Sequence, residues 1–195
     1  MKDFIEKHTI ETVQNGLIDT TAKDLLAFWL RERRNPRALS LLAPLADNLL
    51  LTAGTAEQGN SPQIIMVGSQ TMFSAIVPHA AMPEEEPSTY LDGDFRNSVH
   101  VGYHLAISGE PAIETISTTC RPYGQPIQIT YDRLILPWRM RSGHLNLTTY
   151  VKPLEILPQN DLTNLGTDYN CSEPTLNRRQ LTTEDFPNEY RQARL

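Results

Sequence analysis

The feature that most constrains this fold is a change in the spacing of apolar residues along the chain. Between residues 22 and 30 they recur at helical spacing, which predicts an amphipathic helix. Its apolar stripe consists of Ala22, Leu25, Leu26, Trp29 and Leu30. In the segments 113–118, 127–136 and 145–151 apolar and polar residues alternate instead, as in strands that bury one face. The chain is therefore predicted to be an α+β protein.

Two short apolar runs and two further helical segments lie between these regions. Residues 49–53 and 64–67 flank the turn-forming segment Gln58–Pro62, which predicts a β-hairpin. Residues 69–77 and 95–108 have the spacing of helices. The predicted order is helix, two strands, helices and three strands, with the last three strands forming an antiparallel meander.

The same periodicities divide the chain into three parts. Residues 1–19 are predicted to be an N-terminal helical extension, since 3–16 have a weak helical pattern. Residues 20–157 carry all the strong periodicity and form one domain. The tail 158–195 is polar and has no sustained period, so we expect it to be flexible. Within the domain, the proline-bounded acidic run Glu84–Glu86 predicts a solvated loop.

Charge and composition argue against several classes of protein. The formal net charge is −6, and an acidic chain is poorly suited to phosphate backbones, so no nucleic-acid partner is expected. No apolar stretch approaches the roughly 20 residues that a membrane-spanning helix needs, so no membrane contact is expected. Asp3 and Glu6 interrupt the N-terminus, which argues against an export signal. Two cysteines cannot form a disulfide framework, and we expect a cytoplasmic protein.

No catalytic or cofactor motif is found in the sequence. A phosphate-cradling glycine loop and a Gly-x-Ser-x-Gly elbow are both missing. Cys120 and Cys171 stand alone, without the neighbouring ligands of a zinc site. His100 and His104 are one helical turn apart and would both reach a metal or haem iron, but such pairs are more typical of exposed or hydrogen-bonded histidines. We therefore predict neither a metal nor a cofactor, and no enzymatic activity.

Four segments resemble a bacterial PAS-like family of single-domain regulatory proteins. Leu26–Arg31, followed by Pro36, resembles the family's opening helix, and Met66–Ser69 resembles its second strand. Gly109–Pro111 resembles the Gly-x-Pro before its third strand. The most specific match is Tyr131–Pro137, with an aromatic residue, an acid, an arginine and Leu-x-Leu-Pro. The order of the predicted elements is also that of a PAS domain.

This resemblance implies a PAS fold and a sensory or regulatory role. The fold would be a five-stranded antiparallel sheet with helices on one face, accompanied by the N-terminal helix and the tail. The protein would bind a small molecule, a protein partner or both. Flavin is not expected, because Asn170–Cys171, which resembles a photoactive PAS cysteine, lies in the polar tail. PAS domains often use flanking helices to dimerise, so the stripe around Leu25 and Trp29 is a candidate dimer surface.

Candidate site residues follow from the positions of the aromatics and from strand alternation. The candidates for a pocket between sheet and helices are Trp29, Tyr103, His104 and Trp138, for which core packing is the alternative. In the strand around residue 134, alternation places Leu134 and Leu136 in the core. Tyr131 and Arg133 would then lie on the open face of the sheet, where we expect a partner surface or a solvated arginine.

Two other classes of function remain open at this point. The chain would be a small enzyme if Asp132, His104 or His144 served as an acid or base within reach of a substrate in a cleft. It would be a structural adaptor if its core were filled and held no pocket.

Overall fold

The computed structural model describes residues 4–15, 19–55, 62–76, 93–120 and 127–158; for 75–76, 93–99 and 158 it describes the backbone only. The α-helices are α1 (Ile10–Gln14), α2 (Thr20–Glu32), α3 (Met72–Ile76) and α4 (Gly93–Ile107). A 3₁₀ helix, Ala38–Asn48, follows α2. The strands are β1 (Phe4–Lys7), β2 (Leu49–Ala53), β3 (Ile64–Val67), β4 (Ala112–Cys120), β5 (Ile127–Arg139) and β6 (Leu145–Pro158).

The strands form one antiparallel sheet in the order β1-β4-β5-β6-β2-β3. The predicted hairpin β2–β3 and the meander β4–β5–β6 are both present, which confirms the α+β class. The start of β6 pairs with β2, and this pairing joins the meander and the hairpin into one sheet. Residues from both halves of the chain therefore meet on the same sheet.

One face of the sheet, here called the α2 face, is covered by α2 and the 3₁₀ helix. Asp19 starts α2 by accepting a hydrogen bond from the Ala22 amide at 2.9 Å. The predicted stripe of α2 is buried there, with Trp29 at 1 % exposure. The core that it joins includes Leu49, Leu51, Ile113, Leu134, Leu136 and Trp138. This stripe is buried in the protein's own core and does not offer an exposed surface, so dimerisation through the N-terminal helices stays a prediction.

The opposite face, here called the α4 face, is covered by α3 and α4. Tyr103 and Ala106 of α4 pack near Ile135 and Leu147 of the sheet. The partly buried α3 residues Met72 and Phe73 pack on a second cluster, formed by Ile116, Cys120, Ile129 and Tyr131. Helices thus lie on both faces of the sheet and not on one face as predicted.

The N-terminus differs most from the prediction. Residues 4–7 form β1 rather than part of a helix, and β1 adds a sixth strand to the predicted five. It pairs with β4 from Phe4 opposite Ser117 to Lys7 opposite Glu114. The nine-residue β4 offers an edge of backbone donors and acceptors, and β1 satisfies part of it.

Several expectations lie outside the described residues: the acidic loop at Glu84–Glu86, Asn170–Cys171 and the tail beyond residue 158. None of the helices in the described ranges has the length and apolar character needed to cross a lipid bilayer.

Candidate functional site

The structure divides the predicted pocket residues between the two faces of the sheet. Trp29 and Trp138 lie on the α2 face, where each indole N–H is satisfied by the protein itself. Trp29 Nε1 donates to the Pro137 carbonyl at 2.7 Å, and Trp138 Nε1 donates to Thr148 Oγ1 at 2.9 Å. Both side chains are nearly inaccessible, at 1 % and 2 % exposure. They build the core, whereas Tyr103 belongs to α4 and packs on the other face of the sheet.

The α4 face holds a buried ion pair between neighbouring strands. Glu114 of β4 lies directly opposite Arg133 of β5. Arg133 Nη2 donates to Glu114 Oε2 at 2.5 Å, and Arg133 Nε donates to the same oxygen at 3.2 Å. The two side chains are only 3 % and 2 % exposed. The expectation that Arg133 faces solvent is wrong, because α4 covers the face that alternation left open.

Gly102 explains how α4 lies so close to these charges. A Cβ added at Gly102 would lie 2.7 Å from Arg133 Nη2 and would collide with Glu114 Oε2. The helix backbone therefore passes over the ion pair where no side chain intervenes. Glycine in a helix interior is unfavourable, and here its lack of a side chain allows the close approach.

Two tyrosines enclose the ion pair. The Arg133 guanidinium carbon lies 5.4 Å from the ring centroid of Tyr103, in a cation–π contact. Tyr131, only 2 % exposed, shares the α4 face. Burial raises the pKa of Tyr131 far above its ordinary value, although the nearby Arg133 charge opposes this shift. The Tyr131 phenol therefore stays protonated at neutral pH, as a neutral donor. Neither Tyr131 nor Arg133 is available as a partner surface while α4 is in place.

Hydroxyl groups lie on the same face of the sheet as the ion pair. The hydroxyls of Tyr103 and Thr149 are hydrogen-bonded at 3.2 Å. Thr52 of β2 lies opposite Leu147 of β6 in the register, two positions along β6 from Thr149. Thr52 is 1 % exposed, yet its Oγ1 has no hydrogen-bond partner. An unsatisfied buried hydroxyl is costly, so this atom marks a position where a ligand's polar group would be stabilising.

The two histidines of α4 lie next to each other. Their ring centroids are 4.8 Å apart, with the planes at 80°. His104 is exposed, whereas His100 is half-buried and its Nε2 is both inaccessible and without a hydrogen-bond partner. Burial, and secondarily the neighbouring His104, lower the pKa of His100. These surroundings favour the neutral form of the His100 imidazole.

The residues weighed as an enzyme's acid or base are not brought together. Asp132 lies on the α2 face, where it accepts a hydrogen bond from Thr115 Oγ1 at 2.6 Å. His8 Nε2 is 2.7 Å from the same Thr115 oxygen. His104 lies on α4, over the other face, and His144 is exposed in the β5–β6 turn. Of the three, only Asp132 takes part in a chain of hydrogen bonds. This chain runs from His8, directly after β1, through Thr115 of β4 to Asp132 of β5.

Sequence reasoning missed four residues of the α4-face site: Thr52, Gly102, Glu114 and Thr149. Glu114 could have been noticed in the sequence, because an acidic residue between isoleucine and threonine in a predicted strand is unusual. Gly102 has another, since it interrupts an otherwise good helix. Thr52 and Thr149 have none, because threonine is common on either face of a strand.

Within the described part of the chain, no three His, Cys, Asp or Glu side chains lie close enough to hold a metal ion. The chain matches no protein-family model, and neither a curated protein nor a solved structure shows significant similarity to it.

Proposed function

We propose that this chain is a PAS-like sensory or regulatory module that binds a small polar molecule between α4 and the sheet. After β1, the chain follows the order helix, two strands, helices and three strands that the resemblance implies. Strands β2–β6 are five adjacent strands of the sheet, with β1 added at one edge. In this proposal β1 and α1 are additions to a PAS-like core that begins with α2.

The observation that carries the proposal is the unpartnered hydroxyl of Thr52. A buried Oγ1 without a partner, on the same face of the sheet as a hydroxyl pair and an ion pair, gives that face one unused polar position. Ligand sites are mostly apolar with a few converging polar groups, and this face has that character. The ligand would be a small neutral or zwitterionic molecule with a hydroxyl, carbonyl or amide group, because Arg133 is already neutralised by Glu114.

The signal would leave through α4 and a protein contact. A ligand that reaches from Thr52 to Thr149 competes with Tyr103 for the Thr149 hydroxyl, and so changes how α4 sits on the sheet. Exposed apolar side chains at the end of β6 support a contact with a second copy of the chain. These residues are Leu154, Ile156 and Leu157, at 54 %, 51 % and 43 % exposure.

Native mass spectrometry of freshly purified full-length protein tests both parts. We expect a small-molecule adduct on the wild type that Thr52→Val loses and that Thr119→Val keeps. Thr119 is a matched control because it lies on the α2 face, where its hydroxyl donates to Gln128. The same spectra report dimers.

Two outcomes would contradict the proposal. One is an adduct carried equally by the wild type and Thr52→Val. The other is a wild type that carries no adduct and whose melting temperature is raised by no compound in a panel of small polar metabolites.

A further inference from the structure

The outer side of α4 carries a second feature, which the proposed ligand site does not use. His100 and His104 are separated by one helical turn, and their rings are in contact, with centroids 4.8 Å apart. Two histidines at this spacing lie on one side of a helix, as they do where a helix supplies two ligands to one metal ion. The pair therefore has the sequence spacing of a helical two-histidine metal site, with its rings in contact.

His100 Nε2 provides an independent indication of a ligand. It is a polar atom without solvent access and without a hydrogen-bond partner. Buried ring nitrogens are normally satisfied, so an orphaned one calls for an explanation. A metal ion bound to this nitrogen would satisfy its lone pair.

We propose that His100 and His104 form a two-histidine site for a divalent transition-metal ion. Imidazole nitrogens suit Cu²⁺, Ni²⁺ and Zn²⁺, whereas Mg²⁺ prefers oxygen ligands. His104 is exposed, so its ring is free to turn until both imidazoles point to one ion. Since no third His, Cys, Asp or Glu lies within reach among the described residues, water or an incoming ligand completes the coordination.

The position of this site gives it a structural consequence. The chelate would span the turn of α4 that contains Gly102, where the helix is weakest and lies against Glu114 and Arg133. Binding would fix that turn over the buried ion pair. The metal would therefore stabilise α4 in its packed position, independently of whether a small molecule binds beneath it.

Nickel titration of the full-length, untagged protein tests the proposal. We expect one Ni²⁺ to bind per chain and to raise the melting temperature, and we expect Mg²⁺ to do neither. Cu²⁺ is expected to bind more tightly than Ni²⁺, and Mn²⁺ more weakly. Calorimetry gives the stoichiometry and affinity, and circular dichroism shows whether each variant is folded.

The decisive variant is His104→Gln, because an exposed side chain is replaced without disturbing the core. It is expected to lower the affinity for Ni²⁺ at least tenfold, as is His100→Gln. His144→Gln removes an exposed histidine outside α4 and is expected to keep wild-type affinity. The proposal is overturned if folded His104→Gln keeps its affinity, if His144→Gln loses it equally, or if the wild type binds no Ni²⁺. None of these results depends on Thr52, so they leave the small-molecule proposal intact.

Discussion

Strand β5 belongs to both faces of the sheet, and its alternate residues meet very different surroundings. Leu134 and Leu136 point into the α2 face, among the leucines and tryptophans of that core. Arg133 points into the α4 face, against a carboxylate and a tyrosine ring. The α2 face has the composition of a structural core, while the α4 face combines burial with charge and hydroxyl groups, as functional sites do.

The comparison is tested most strongly by removing the charge on one face and an apolar side chain on the other. Arg133→Ala is expected to cost about 3–5 kcal/mol of unfolding free energy, because it leaves the Glu114 carboxylate buried and unpaired. The double variant Arg133→Met with Glu114→Leu is expected to return near wild-type stability, since apolar residues of similar size tolerate such a site. Urea denaturation measures all three proteins.

Leu134→Ala is the control from the α2 face. It is expected to cost about 2–5 kcal/mol through the cavity that it leaves, and Glu114→Leu should not restore it. If Arg133→Ala is silent, the arginine faces solvent, as strand alternation predicted.

Gly102→Ala sharpens the comparison at the contact between α4 and the ion pair. In an ordinary helix interior this change stabilises by about 1 kcal/mol. Here we expect a loss of about 1–3 kcal/mol instead, because the new methyl group collides with Glu114 and displaces α4. Val101→Ala, at an exposed position on the same turn, is the control and should change stability little. A Gly102→Ala protein that is more stable than the wild type would mean that α4 does not lie against the pair.

The same comparison explains what could be predicted from the sequence. The α2 face was predictable because the apolar periodicity of α2 identifies the helix residues in the contact and that of β5 identifies the strand residues. The α4 face was not predictable. Alternation places Arg133 and Leu134 on opposite faces of the sheet, but it does not say whether a helix covers the face that holds Arg133. Only the position of α4 on the sheet decides that, and the apolar pattern of the strands does not specify this position.

The sixth strand was not predicted, for a different reason. Phe4–Lys7 is four residues long, and its pattern is too short to distinguish a strand from a helical turn. Pairing with β4 determines its conformation, and that pairing joins residues more than 100 positions apart. The hydroxyl of Thr52 is likewise invisible in the sequence, since its lack of a partner is a property of the packed molecule.

Thr52→Val separates function from stability on the α4 face. Replacing an unpaired buried hydroxyl by a methyl group is expected to raise the unfolding free energy of the ligand-free protein by about 1 kcal/mol. Thr149→Val should lower it by about the same amount, because the hydroxyl of Tyr103 then loses its partner. Thermal and urea unfolding of the three proteins measure the difference. Equal destabilisation by both changes would show that Thr52 has a partner in solution.

Tyr150→Phe is the smallest expected effect and concerns the α2 face. The Tyr150 hydroxyl donates to Asp19 Oδ2 at 2.6 Å, which ties β6 to the residue that caps α2. Burial, followed by this hydrogen bond and the Asp19 charge, raises the pKa of Tyr150 from 10.0 to about 12. Because the side chain is partly exposed, we expect its loss to cost only about 0.5–1 kcal/mol at neutral pH.

The pH dependence of that cost tests whether the pKa of Tyr150 is raised in the folded protein. Since the unfolded state releases the phenol proton at lower pH than the folded state, the stabilisation is complete below pH 10 and is lost as the pH rises towards 12. The difference in unfolding free energy between the wild type and Tyr150→Phe should therefore be constant from pH 7 to 9 and shrink above pH 10. Arg133→Ala measured over the same range should keep its full cost up to pH 10, because burial already holds the neighbouring Tyr131 phenol protonated there. A Tyr150→Phe difference that stays constant through pH 11 would show that folding leaves the pKa of Tyr150 unshifted, so that neither burial nor the bond to Asp19 acts on this phenol.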